Sequence, residues 1–163
     1  KLIDWLPNNI PDDDANSIVH GDFRLANMVL HADEPEVLAG LEWELSTLGH
    51  PLGDFTYHLM QWFMPSDGAS TQTLEGADFA ALNIPDATEY TRLYCEHTGR
   101  DSIENMDFYI AYNMFRLAGI LQGIVGRVRD GTASNEHAAL MENRVKPLSD
   151  VGWFYAQKAG AVG

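Results

Sequence analysis

The chain has 163 residues, an ordinary apolar fraction of 45%, and a formal net charge of −14 with a pI near 4.5. That is enough for one domain with a real core, and so acidic a surface argues against binding nucleic acid through a broad basic face. A single cysteine, Cys95, excludes an intramolecular disulfide, and no stretch approaches the ~20 apolar residues of a membrane span. With no signal peptide at its start, the chain reads as a soluble, cytoplasmic protein.

Leu2–Leu6 reads as the end of a helix, followed by a turn-rich connection through Pro7, Pro11 and the acidic triplet Asp12–Asp14, a solvated loop rather than a metal site. Ser17–His20 reads as a short buried strand delivering a loop. Met28–His31 and Val37–Trp43 read as a β-hairpin about a turn at 32–36. Gly49–Asp54 leads into a helix from about Phe55 to Met64, with Asp54 a candidate N-cap. Residues 65–79, rich in Ser, Thr, Gly and Asp, read as a mobile excursion. Asp86-x-x-Glu89 opens a helix that Gly99 stops, with Tyr90, Leu93, Tyr94 and His97 on one face. A long amphipathic helix runs from about Met106 to Arg129, with a core stripe of Met106, Ile110, Leu117, Ile120, Leu121, Ile124 and Val128, and Gly131 ends it. A last helix spans roughly 135–159, interrupted near Pro147.

The chemistry concentrates in His20-Gly21-Asp22-Phe23-Arg24-Leu25-Ala26-Asn27 and Leu41-Glu42-Trp43-Glu44. Phosphoryl transfer needs an acceptor hydroxyl positioned against the γ-phosphate of ATP and a metal to neutralise developing charge. A His-x-Asp-x-x-x-x-Asn loop supplies both. Asp22 accepts the hydroxyl proton, while Asn27 and then Glu42 offer hard oxygen ligands that suit Mg²⁺. Each residue also has a plainer reading: Asp22 as a turn acid, Asn27 as a strand cap, and His20 as a holder of the loop backbone. A metal hydrolase using His20, Asp22, His31 and Glu42 is a remote alternative. Trp43 reads as core packing, and Glu44 as a brace of the loop or a second acid near the metal.

These residues resemble the aminoglycoside phosphotransferase and choline kinase-like family, distant relatives of protein kinases, and most of all the branch fused to acyl-CoA dehydrogenases. The resemblance is carried by Val19–Arg24 with Asn27, Leu41–Leu45, Gly49–Asp54, Phe115-Arg116-Leu117-Ala118 and Gln122-Gly123. It implies a mainly helical α+β C-terminal lobe of a protein-kinase-like phosphotransferase, with a small hairpin beside the catalytic loop. It also implies ATP and Mg²⁺ as cofactors and a small-molecule hydroxyl as acceptor, among alcohols as different as aminoglycosides, choline, homoserine-like compounds and hydroxyacyl thioesters. Such enzymes carry an N-terminal nucleotide-binding lobe. Residues 1–163 contain no Gly-rich loop and no strand lysine ahead of the loop, so the chain reads as the C-terminal lobe alone, inactive by itself and open to self-association. By the same resemblance Asp54 braces the loop, and Arg24 stands where protein kinases carry a phosphate-reaching lysine. A salt bridge from Arg24 to Glu44 or Asp54 is the competing reading. Arg116 could face inward onto an anionic part of the acceptor or outward into an ion pair, and Tyr109, Tyr112 and Gln122 could line the same cleft or simply pack. Glu42 departs from the Asp usual in relatives, which leaves a non-catalytic nucleotide- or protein-binding module as the alternative function.

Overall fold

The computed structural model describes residues 1–66, 73–132 and 140–163. It is a mainly helical α+β fold. In chain order it runs α1 (Leu2–Trp5), β1 (Ser17–Val19), β2 (Met28–Leu30), β3 (Val37–Gly40), β4 (Thr47–Gly49), α2 (Leu52–Leu59), α3 (Phe79–Leu82), α4 (Ala87–Thr98), α5 (Met106–Arg129) and α6 (Glu142–Lys158). Short 3-10 turns occupy Leu6–Asn8, Leu25–Asn27, Trp43–Leu45 and Met60–Trp62.

The core lies where α5 packs against α6 on one side and α2 on the other. Along α5, Ile110, Met114, Ala118, Leu121 and Val125 are all buried and are spaced by three and four residues as one helical face requires. The expected stripe is therefore only partly right. Ile110 and Leu121 belong to it and Met106, Leu117 and Ile124 pack half-buried against it, but Ile120 is 44% exposed, and Met114, Ala118 and Val125 take central places. Apolar residues surround much of this helix, so several faces satisfy the same periodicity and tertiary packing chooses among them. Gly152 lets α6 approach closely, since a Cβ there would sit 3.2 Å from the Met114 Cβ and 3.1 Å from Leu2 Cδ1.

The last helix is observed from Glu142, the earlier part of its expected span falling outside the described residues. Pro147 does not interrupt it. A proline there withholds one N–H from the carbonyl four residues back, that of Asn143, which is exposed and within reach of water. Asp86 caps α4, its side chain accepting from the Glu89 N–H at 2.9 Å, and Gly99 closes it with φ +68°. Of the expected face of α4, Tyr90, Leu93 and Tyr94 are half-buried, while His97 is exposed. Phe55 of α2 stacks on Tyr94 (3.9 Å) and Tyr90 (5.7 Å), which ties α4 to α2. The excursion after Met64 falls in part outside the described residues.

The strands form two antiparallel pairs. The β2–β3 pair is the expected hairpin, although β3 ends at Gly40 and Trp43 belongs to the following turn. The β1–β4 pair, with Ser17 opposite Gly49 and Val19 opposite Thr47, joins the expected strand to a segment for which no strand was expected. β1 is not a buried strand, because Ile18 is 74% exposed and pairs across to the equally exposed Leu48.

Candidate active site

The loop from His20 to Asn27 is held by backbone contacts before any of its side chains is considered. Gly21 has φ +83°, and a Cβ there would lie 2.6 Å from the Leu45 carbonyl oxygen, so this turn admits only glycine. Asp54 accepts from the His20 N–H at 2.5 Å and the Gly21 N–H at 2.9 Å, one bond to each carboxylate oxygen. It is not the N-cap of α2. Pro51 holds that position, and Asp54 lies inside the first turn, where its charge also complements the helix dipole.

His20 is 4% exposed and both ring nitrogens are used. Nδ1 accepts from the Asp22 N–H at 3.2 Å, which leaves Nε2–H to donate to the Leu41 carbonyl at 2.7 Å. The Leu41 N–H in turn donates to the Asn27 carbonyl at 2.8 Å. Leu41 is thus fastened on both sides to the loop, and Glu42 follows it directly. Trp43 covers His20 with ring centroids 4.6 Å apart, yet it is 51% exposed, so it shields the loop and is not part of the core. His31 turns away into its own hairpin, its Nδ1 accepting from the Asp33 and Glu34 N–H groups. With both nitrogens of His20 spent on backbone, the hydrolase constellation does not assemble.

Asp22 projects from this frame. Asn27 Nδ2 donates to its carbonyl and to Oδ2, each at 2.9 Å, and Arg24 Nε lies 3.2 Å from Oδ2. Arg24 pairs with Asp22, and not with Glu44 or Asp54. Glu42 has φ 64° and ψ 49°, a left-handed conformation that a long side chain adopts only under constraint. It and Glu44 are exposed.

Tyr57 and Arg116 complete the surroundings. Tyr57, three residues after Asp54 and so on the same side of α2, is buried with its hydroxyl facing Asp22. Burial first, and then the neighbouring Asp22 carboxylate, push its pKa up to about 12. Its ring lies under the Arg116 guanidinium at 4.6 Å, and Arg116 donates to the Gly21 carbonyl. Nothing local in the sequence marks Tyr57 as a neighbour of Asp22. Buried Asn113 of α5 secures α2 from behind, donating to the Gly53 carbonyl at 3.0 Å and to Thr56 Oγ1 at 2.8 Å.

Arg24 and Tyr57, both neighbours of Asp22, line a cavity of about 350 Å³ together with Gln61, Met60, Met64 and Leu117. A larger apolar cavity of about 610 Å³ lies against α1, the β1–β4 pair and the N-terminal half of α5. Tyr109 and Tyr112 line that second cavity, Tyr109 stacking on His50 at 4.9 Å. The four candidate acceptor residues are therefore not brought together. Tyr109 and Tyr112 share one cavity, Arg116 faces the loop, and Gln122 is exposed on another side of α5.

Fold and loop together are those of a phosphotransferase domain. The model of the family described as "Phosphotransferase enzyme family" matches residues 1–94, and the chain belongs to that family. It is 39% identical to mouse acyl-CoA dehydrogenase family member 10 over 98% of its length, and 39% identical to human acyl-CoA dehydrogenase family member 11 over 93%. It spans only 15% and 20% of those two proteins. A crystal structure from Ralstonia eutropha JMP134, provisionally named an aminoglycoside phosphotransferase, superposes with TM-score 0.87 at 52% identity, covering 96% of this chain and 48% of that one. No helix among the described residues is long and apolar enough to cross a membrane.

Proposed function

We propose that this chain is the catalytic, C-terminal lobe of an ATP-dependent phosphotransferase that transfers the γ-phosphate to a hydroxyl group. The observation that carries the reading is Asp22, held on a loop braced by Asp54 and His20 and bonded by Asn27, with Arg24 and Tyr57, which line the cavity of about 350 Å³, as its neighbours. Asp22 orients the acceptor hydroxyl and takes its proton, His20 and Asp54 hold the loop, and Arg24 steadies Asp22 or swings to a phosphate. The donor set fits Mg²⁺. Asn27 spends its amide nitrogen on Asp22, so Oδ1 is the atom it would offer a metal, and Glu42 would add a hard anionic oxygen. When bound with ATP, the metal neutralises charge on the transferring phosphoryl group. Glu44, exposed one turn further on, is an outer support of that site.

The cavity supports a choice of acceptor class. Its lining among the described residues contains no carboxylate, while Met60, Met64 and Leu117 give it an apolar floor and Arg24 a positive rim. This favours a hydroxylated compound with an apolar body over a polycationic sugar. A nucleotide-binding lobe would cover the hairpin side, where Leu30, Val37, Leu38 and Trp43 are all more than half exposed. Tyr109 and Tyr112 then belong to packing or to a separate cavity. The test is phosphate transfer from Mg-ATP by the full-length protein to a panel of apolar alcohols and hydroxy acids beside an aminoglycoside. Asp22→Asn should abolish transfer while leaving the folded state intact. Turnover above a tenth of the parent would overturn the assignment.

A further inference from the structure

The peptide joining Gly21 to Asp22 sets the direction of the Asp22 side chain, and both of its polar groups are engaged. Its N–H goes to His20 Nδ1 at 3.2 Å, and its carbonyl accepts from Arg116, a residue 95 positions further along the chain. The preceding peptide is held from the opposite side by Asp54.

We infer that Arg116 is a positioning residue: its guanidinium, over the Tyr57 ring at 4.6 Å, grips the Gly21 carbonyl and completes with Asp54 a two-sided clamp on the backbone that carries Asp22. The fit is particular to arginine. A planar guanidinium can rest its face on an aromatic ring while its edge donates in the same plane, which a lysine ammonium cannot do. The clamp also unites three elements, since Arg116 comes from α5, Tyr57 from α2 and Gly21 from the loop. A mere surface ion pair is excluded by geometry, because the guanidinium is half-buried and its partner is a neutral carbonyl. The assignment of a role in transfer rests on the proposed function, but the clamp itself does not.

The experiment compares Arg116→Met with the parent in the full-length protein, with Arg127→Met, an exposed arginine of the same helix, as control. Backbone amide exchange followed by mass spectrometry in peptides covering residues 18–27 should accelerate about tenfold in the Arg116 variant, matching the loss of one hydrogen bond. It should be unchanged in the control, with peptides from α6 unaffected in both. Phosphate release from Mg-ATP should show kcat lowered by up to about 10²-fold with KM for ATP nearly constant, as expected for a misaligned base. If Arg116→Met does not fold, Arg116→Lys gives the same readout in the same direction. Unchanged exchange over residues 18–27 in the folded variant would overturn the clamp. Faster exchange in a protein whose parent releases no phosphate would leave the clamp standing and overturn the phosphotransferase reading instead. Faster exchange with kcat unaltered would remove Arg116 from the positioning of Asp22.

Discussion

The two carboxylate oxygens of Asp54 divide their work, one accepting from the backbone of His20 at 2.5 Å and the other from Gly21 at 2.9 Å. A single side chain on α2 thereby satisfies two consecutive N–H groups of a loop more than thirty residues earlier.

Asp54→Ala strands both donors in a partly buried site. Each unpaired donor costs about 1–3 kcal/mol, so urea unfolding should register a loss of at least 2 kcal/mol. Asp54→Asn keeps one acceptor oxygen and should cost roughly half as much. Equal midpoints for the two variants would contradict this division of labour.

Gly21→Ala meets two obstacles, a positive φ and a carbonyl 2.6 Å from the new Cβ. Relief requires the Leu45 segment to move, so the loss should exceed the ~1 kcal/mol of a simple left-handed penalty. Thermal unfolding would measure it. A melting temperature equal to the parent's would mean that the Leu45 carbonyl yields freely.

Glu42 separates stability from function. Glu42→Gly removes a side chain from a left-handed position and should leave stability within about 1 kcal/mol of the parent, or raise it. Metal-dependent transfer should nevertheless fall. Glu42→Asp keeps a carboxylate on a shorter arm in a backbone already set for the longer one, so its Mg²⁺ requirement should rise. Matched Mg²⁺ and Mn²⁺ titrations of parent and both variants are the measurement, and a flat response throughout would remove Glu42 from the metal site.

His58 supplies a pH dependence. It packs against Phe23, Trp62 and Tyr90, and burial lowers its pKa below the usual 6.5. The unfolded chain then binds a proton more readily than the folded one, so stability is complete above about pH 6.5 and declines as pH falls through that value. His58→Phe should flatten this part of the profile. Urea midpoints at pH 8, 6 and 5 would show it, and parallel curves for parent and variant would argue against it.

Much of this architecture was legible in local chemistry. The bounds of α5, the Asp86 cap, the Gly99 stop and the β2–β3 hairpin follow from periodicity, capping and turn residues within a few positions of each other. What stayed hidden depends on distant chain meeting. β1 and β4 are three residues each, too short to show alternation, and they pair across the whole site segment. Trp43 looks like a core residue by composition, but it lies over His20 with half its surface in solvent. Asp54 satisfies the rule for an N-cap, yet Pro51 starts the helix early and frees the carboxylate for the loop. Within the loop, the five-residue spacing that brings Asn27 to Asp22 could be read directly. The placement of Arg116 and Tyr57 could not, because α5 and α2 bring them to the loop from elsewhere in the chain.

The pairing of Val19 with Thr47 gives the site a portable character. Everything numbered 20 to 46, including Asp22, Arg24, Asn27 and Glu42, leaves and re-enters the fold at neighbouring points of one short ladder. Such a stretch is a cassette with its ends already tied. Exchanging it between relatives should leave the spacing of the helices that carry it unaltered. The helices then impose their own terms on any new occupant, through Asp54 from one side and Arg116 from the other. Differences in activity between members of the family can therefore be sorted by transplanting that cassette: those that travel with it belong to the loop, and those that stay behind belong to α2 and α5.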